Sequence, residues 1–389
     1  MPTVLESFID PVRRNDFREQ YYGKQPLLIR GHPKKFAGLF HWDDLNRLLN
    51  ASPHPHPHVR VAAPGTRDEA TSSSLIERCR AGASLVFNQI DLYDPKIGEL
   101  THALAAETGE LINVNLYLSQ AGQAAAGRHY DLHDVFVLQI DGHKAWSVYD
   151  PTIEKPIQNM TEVSYEAPSR PVLECELAPG DVLYIPRGHW HEALAQRGLS
   201  LHLTVGLQAR TGIDYLTWFV DQLRSDVRFR QEFPLSFDDD AVEVRKERLQ
   251  ESLGRLKEIL MARLDDVETV ESFLRHCVIS DRDAGRFKFP AQLFEAPGEK
   301  LDLQRFSRPA RQRYVVEDGP TEDQIALSVW GHIFHFPKAA RPLIEFVLTQ
   351  TAFTREDALS HAGALTEQGV WEVLNPLVRE GILDAVPNA

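Results

Sequence analysis

The sequence predicts an α+β protein, in which a strand-rich domain of the sandwich or barrel kind is followed by helices. Three observations predict it. Residues 111–210 hold five short β-type runs, "LINVNLYLS", "DVFVLQI", "KAWSVYD", "DVLYIP" and "LSLHLTVGL", separated by the turn signals "DG", "PG" and "PRG". After residue 212 the apolar period becomes helical, with Leu249, Leu253, Leu256, Leu260 and Leu264 on one stripe. The last stretch reads as two capped helices and a short strand.

The elements follow in order. "DFREQYYGKQPLLIRG" reads as a helix, a stop at Gly23 and a short strand ending at Gly31. "SPHPHPHVR" (residues 52–60) alternates proline with histidine, so it is extended and unable to pair fully in a sheet. His54, His56 and His58 are read as a proline-spaced surface loop rather than a metal site. Asp238, Asp239 and Asp240 stand where acids favour a helix N-terminus. Residues 281–323 read as a linker with short strands. In "TREDALSHAG", Thr354 and Asp357 have nearly the spacing and chemistry of a capping box. Thr366 caps a run that ends at Gly381. Helix, turn, helix and strand in this space is a winged-helix pattern. The domains expected are 1–210, a catalytic domain; 211–285, a helical region; and 286–389, a linker and winged helix.

Composition sets bounds. The chain has 389 residues, 43% hydrophobic and 25% charged, an ordinary globular balance. The formal charge of −14 is opposite in sign to that of a typical nucleic-acid binder and suits a basic partner. No direct DNA binding is expected, and the winged helix is read as a packing or partner-binding module. Cys79, Cys175 and Cys277 are far apart, which fits a reducing cytoplasm and excludes a disulfide scaffold or cysteine zinc site. The first residues lack the long apolar core of a signal peptide, and no run approaches eighteen apolar residues, so no membrane segment is expected.

The chemistry gathers in "GRHYDLHDVF" (residues 127–136), where His129, Asp131, His133 and Asp134 are four candidate ligands within six positions. On a strand, His129, Asp131, His133, Val135, Val137 and Gln139 share one face and Asp134 points away. A mononuclear non-haem iron site takes two histidines and one carboxylate, leaving positions for substrate and oxygen. The third ligand must come from another strand, and "APGDVLYIPRGHWHEAL" offers His189 and His191 beyond a tight turn. Lys144 provides an independent indication. If Asp141-Gly142 is a two-residue hairpin loop, Gln139 pairs with Lys144, and the lysine points to the triad's side. A buried lysine is costly unless it meets an anion, and a dicarboxylate would supply one. Asn115, Tyr117 and Ser119 share a strand face, as do Ser200, His202 and Thr204, which suggests a polar cavity.

Taken together, "HYD", "DVFVLQIDGHKAW" and "GDVLYIPRGHWH" resemble the cupin-type JmjC oxygenases, most closely the ribosomal oxygenase group. The resemblance implies a double-stranded β-helix (jelly roll), Fe(II) held by His129, Asp131 and His191, and 2-oxoglutarate and O2 as cosubstrates. It places Lys144 on the distal carboxylate of 2-oxoglutarate, with Asn115, Tyr117 and Thr204 lining the cosubstrate pocket. Some bacterial members have arginine near the lysine position. His133 is then expected to line the pocket, Asp134 to serve as a structural hydrogen-bonder, His189 to belong to the turn and His143 to face away. The implied reaction is hydroxylation of a protein side chain, with a ribosomal-protein arginine or histidine as the family-level target. The leucine stripe, with the helix around Trp218 and Phe219, is expected to bury against a second copy as a homodimer. The rivals are the same chemistry on a peptide natural-product precursor or a tRNA base, and a non-catalytic cupin with a winged-helix tail acting as a regulator.

Overall fold

The computed structural model describes residues 3–51, 58–63, 66–68, 72–122, 127–160, 166–233, 242–279, 292, 303–308 and 313–387. The expectations for His54, His56, the Asp238–Asp240 run and most of the 281–323 linker lie outside these residues. The chain divides into two compact units, one built on Met1–Ala209 and the other on Arg210–Pro309 and Arg313–Ala389.

Among the described residues the first unit holds nine strands: β1 Leu27–Ile29, β2 Val59–Ala63, β3 Thr66–Asp68, β4 Ser84–Phe87, β5 Leu111–Gln120, β6 Asp134–Tyr149, β7 Leu173–Leu177, β8 Val182–Ile185 and β9 Trp190–Gln208. Their hydrogen-bonded order is β1-β8-β6-β9-β5-β4-β2-β3, with β7 also on β6. Every pairing is antiparallel. The two longest strands, β6 and β9, run alongside each other in two registers. Asp134 to Gln139 pair with Leu207 back to His202, and Lys144 to Tyr149 pair with Ala195 back to Trp190. β8 joins the first stretch of β6 and β7 joins the second. The sheet folds over between these stretches. Val135 and Val137 from one half pack with Trp146 and Val148 from the other, around Leu177, Leu183 and Ile185. The outer face of the first half, Phe136 and Leu138, packs with Val182, Tyr184, Leu203 and Val205 in a larger core that includes Phe8, Phe17 and Ile97 from the flanking N-terminal helical segments.

This corrects the expected hairpin. Asp141-Gly142 is not a two-residue turn, and Gln139 does not pair with Lys144. The strand continues through both residues with register shifts between Gln139 and Lys144. The physical reason is a bulge. Gly142 has φ +68°, and a Cβ there would lie 1.9 Å from the Leu199 carbonyl oxygen, so only glycine fits. The buried Gln139 amide donates to the carbonyls of Asp141 (2.8 Å) and Gly142 (3.2 Å) and to Ser200 Oγ (3.0 Å), satisfying carbonyls that lie within the bulge.

In the second unit, the helices Gly212–Leu223, Val242–Leu264 and Val267–Ile279 gather around Trp218, Phe219 and Leu223. These three are covered within the chain by Tyr215, Phe229, Leu260, Leu264 and Phe273. Trp218 and Phe219 are therefore core residues, not the exposed contact surface expected of them, because Phe273 supplies an aromatic partner that the leucine period did not reveal. β10 Leu303–Ser307, β11 Tyr314–Asp318, β12 Gln324–Val329, β13 His332–Pro337, β14 Ala352–Thr354 and β15 Asp384–Pro387 form two three-stranded sheets, β11-β12-β13 and β14-β10-β15. The first of these sheets extends past the expected linker. The helices Arg355–Ser360 and Glu367–Arg379 start at Thr354 and Thr366. Each cap hydroxyl accepts a backbone N–H (from Asp357 at 3.1 Å and Gly369 at 3.1 Å), and Thr354 completes a capping box with Asp357.

Candidate metal centre and its cavity

Residues 129–133 precede β6 and are not part of any strand. Their one tie to the ladder is an isolated bridge between His129 and His191, in which each backbone N–H donates to the other's carbonyl (3.1 and 2.7 Å). The tight turn before β9 closes on the same segment. Gly188 N–H donates to the Asp131 carbonyl at 3.0 Å and Arg187 N–H to Asp134 Oδ1 at 2.6 Å. Asp134 also accepts from Tyr184 Oη at 2.7 Å, so its carboxylate is fully engaged in structure.

These ties bring His129, Asp131 and His191 together, with one ligand atom from each lying within 4.8 Å of the others. His191 Nε2 is 3.6 Å from Asp131 Oδ2, and His129 Nε2 is 4.0 Å from Asp131 Oδ1. Each imidazole is oriented from behind by a backbone carbonyl. His129 Nδ1 lies 2.8 Å from Gly127 O and His191 Nδ1 3.1 Å from His189 O. A carbonyl can only accept, so both Nδ1 atoms carry the proton and both Nε2 lone pairs turn inward, the arrangement that metal-ligating histidines require. Burial pushes the His191 pKa down and keeps the ring in the neutral form that ligates. Two histidines and a carboxylate on one side of a cavity are the donor set of a mononuclear iron site with open positions.

The cavity has a volume of about 320 Å³. His129, Asp131 and His191 line one wall. Tyr117, Lys144, Trp146, His202 and Thr204 line another, with Val135, Val137, Ala193, Val86 and Arg60 completing it. Lys144 is 1% exposed, and burial pushes its pKa down to about 8. Its ammonium donates to Ser119 Oγ at 3.1 Å, and among the described residues no carboxylate pairs with it. Trp146 Nε1 and His202 Nδ1 are also buried without a partner there. His202 stacks on Tyr117 (centroids 5.0 Å, planes 4° apart) and meets the edge of Trp146, and burial followed by the charge of Lys144 holds it neutral. A buried cation with no carboxylate partner among the described residues, beside the unmatched Trp146 N–H, fits an anionic ligand.

The positions expected from sequence divide. Tyr117, Thr204 and Lys144 line the cavity. Asn115, the cross-strand partner of Thr204, is not among the lining residues, and its Oδ1 accepts from Gln89 N–H at 2.9 Å. His133 is not among the lining residues either. The segment is irregular before Asp134, so strict alternation fails, and the ring lies over Gly206 instead. His189 is buried at the turn and lies outside the metal-ligand group. Sequence reasoning put His202 on the face of a polar cavity without giving it a role, and did not assign Arg60, Val86 or Trp146 to the site. Trp146 was within reach, since it lies two residues from Lys144. Arg60 and Val86 come from β2 and β4, and placing them requires the sheet order.

Comparison with known proteins agrees with this geometry. Residues 92–215 match the JmjC domain family. That matched segment carries the triad and all of the cavity lining except Arg60 and Val86. Among its relatives are ribosomal oxygenases: the chain is 30% identical to ribosomal oxygenase 2 of Mus musculus over 256 residues, which is 60% of this chain and 54% of that protein. It is 27% identical to ribosomal oxygenase 1 of Gallus gallus over 332 residues, 76% of this chain and 55% of that protein. The chain thus spans about half the length of these curated relatives. In fold it is similar to the Escherichia coli ribosomal oxygenase YcfD, with a TM-score of 0.59 at 18% identity, covering 96% of this chain and 98% of that one. YcfD has also been solved in complex with cobalt and 2-oxoglutarate.

Proposed function

We propose that this protein is an Fe(II)- and 2-oxoglutarate-dependent oxygenase that hydroxylates a side chain of a protein substrate. The observation that carries this reading is the pairing, across one cavity, of a His-Asp-His donor set with a buried lysine that has no carboxylate partner among the described residues. When bound, Fe(II) with 2-oxoglutarate and O2 supplies the oxidising power to convert a substrate C–H to C–OH, with 2-oxoglutarate leaving as succinate and CO2. The residues divide the work. His129, Asp131 and His191 hold the metal through their inward Nε2 and carboxylate atoms. Lys144 binds the distal carboxylate, and Tyr117, Trp146, His202 and Thr204 wall the cosubstrate off from water. YcfD's complex with cobalt and 2-oxoglutarate and the JmjC match support this assignment.

The names of the relatives point to a ribosomal protein as substrate, at an arginine or histidine side chain, and the net charge of −14 suits a basic target. Mass spectrometry of ribosomal proteins incubated with the enzyme, Fe(II) and 2-oxoglutarate should reveal one peptide heavier by one oxygen. Turnover of 2-oxoglutarate with no such peptide would move the substrate elsewhere. We read the helical region as a dimerisation element. The helix Val242–Leu264 has no buried residue, and with its neighbour it borders a groove whose apolar lining (Val220, Leu223, Phe229, Leu253, Leu256 and Leu260) is edged by Arg224, Arg230 and Lys257. Light scattering at roughly tens of micromolar, where standard-size interfaces hold, should report a dimer, and a monomer would end this reading. The tail is read as a winged helix with a packing or partner-binding role. Among the described residues no helix is long and apolar enough to cross a membrane.

A further inference from the structure

We infer that Arg128, Glu192 and Tyr149 form a clamp on the outer side of the metal centre, with Arg128 as a positioning residue for His129. The inference rests on the metal-dependent reading above. It starts from a mismatch in how the ligands are held. His191 stands in β9, a strand paired along its length. His129 and Asp131 stand on irregular chain, attached to the sheet by one isolated bridge, and the His129 side chain is 46% exposed. The turn holds the Asp131 end of the segment through Gly188 N–H and Arg187 N–H, whereas the His129 end has only the two backbone hydrogen bonds of the bridge, and a tilt there would carry His129 Nε2 away from the other donors.

The residues flanking the bridge supply what the ladder lacks. With His129 opposite His191, Arg128 falls opposite Glu192 and Tyr130 opposite Trp190. In extended backbone these neighbours project away from the cavity, to the outer side. Both flanking pairs are complementary. Arg128 Nη2 is 2.7 Å from Glu192 Oε1, and its guanidinium lies 4.0 Å from the centroid of the Tyr149 ring, whose hydroxyl donates to the same Glu192 oxygen. The other guanidinium nitrogen donates to the Pro168 carbonyl at 3.0 Å. The Tyr130 ring meets the Trp190 ring edge-on at 4.8 Å, and Trp190 Nε1 donates to Thr152 Oγ1 at 2.9 Å. Cross-strand pairs of this kind are what stabilise a local pairing. Here they do so where the ladder is one bridge long, directly behind two of the three donors. None of the clamp side chains lines the cavity, so they act through the ligands.

The test uses the full chain without cosubstrate, titrated anaerobically with Co(II) and read by calorimetry and by the ligand-field spectrum. Arg128→Ala should weaken Co(II) binding by about 10- to 100-fold, the usual effect of removing a group that orients a metal ligand, and should alter the spectrum. Arg128→Lys keeps the charge but loses the planar fork, and should fall between Ala and the parent. Tyr149→Phe, the mildest change, should shift affinity in the same direction and guards against an Arg128→Ala chain that does not fold. Metal-free melting temperatures should stay close together across the set, which a merely structural role would not produce. Parent-like Co(II) affinity and spectrum in Arg128→Ala and Tyr149→Phe would overturn the clamp while leaving the oxygenase reading intact. Absence of Co(II) binding in the parent itself would sink that reading and the clamp with it.

Discussion

The two walls of the cavity are built by opposite means. The cosubstrate wall, carrying Lys144, Trp146, His202 and Tyr117, lies within continuous strands, and Lys144 and His202 are almost wholly buried. Its side-chain directions follow from the ladder. The metal wall depends on irregular chain pinned by one bridge, a turn and side-chain pairs. The difference suggests a division of labour. An anion site needs burial, so that its cation remains unpaired until the ligand arrives. A metal site needs convergence of donors and open positions, which a regular strand with donors every second residue does not provide by itself.

If the metal wall depends on convergence, removing one donor should be close to all-or-none. Asp131→Ala removes the carboxylate to which both histidine Nε2 atoms are nearest, and Fe(II) or Co(II) binding and 2-oxoglutarate turnover should both fall below detection. His129→Ala and His191→Ala should do the same. Parent-like turnover in Asp131→Ala would remove the triad assignment.

The cosubstrate wall should break differently. Lys144→Ala leaves the incoming carboxylate desolvated and unpaired, and losing one side of a buried charge pair costs about 3–5 kcal/mol. Affinity for 2-oxoglutarate should therefore drop by roughly two orders of magnitude or more, while metal affinity without cosubstrate changes little. A coupled loss of both would mean that the walls are not independent.

The same lysine gives a pH signature. Its folded pKa is lowered from 10.5 to about 8, by burial. Between these values the unfolded chain holds a proton that the folded chain has lost, so this group makes the ligand-free protein more stable as pH rises through the window. Below about 8 the full penalty for burying the charge applies. Lys144→Met, which keeps the length and removes the charge, should therefore be the more stable ligand-free protein at pH 7, by at most roughly 3 kcal/mol. That advantage should shrink between pH 8 and 10.5, as measured by urea unfolding of both chains. A difference independent of pH would mean that the lysine is already hydrated or paired.

The two walls were not equally legible in the sequence. The triad could be narrowed because His129 and Asp131 stand two apart and His189 and His191 follow a tight turn, but the choice between those two histidines came from the family resemblance. Lys144 was placed on the correct side by an incorrect route. The Asp141-Gly142 pair looks like a hairpin turn, whereas a bulge preserves the strand, and no local rule distinguishes the two when the deciding contact is Gly142 against Leu199, 57 residues on. Asn115 pairs with Thr204, whose side chain lines the cavity, yet its own Oδ1 is taken by the Gln89 N–H, a contact that face-sharing with Tyr117 does not reveal. The leucine stripe was visible as a period, yet Leu260 and Leu264 face the Trp218 cluster while Leu253 is 47% exposed. Periodicity identifies the apolar side of a helix and is silent on what covers it.

His133 gives the sharpest discrimination at the smallest effect. Strict alternation puts it on the triad's face and makes it a fourth candidate ligand. In the fold it lies just before β6 begins, in a bend, and its ring occupies the space over Gly206. A side chain at 206 would place its Cβ 2.7 Å from His133 Cδ2 and 2.5 Å from Asn113 Oδ1, so glycine there makes room for both. His133 thus belongs to the packing beside the centre, outside the group of converging donors. His133→Ala should leave Co(II) affinity within about threefold of the parent, the range of a substitution that removes no ligand, and should leave the ligand-field spectrum unchanged. A tenfold loss with an altered spectrum would make His133 a ligand in the loaded protein. The alternation read from the sequence would then describe the occupied site better than the bend does.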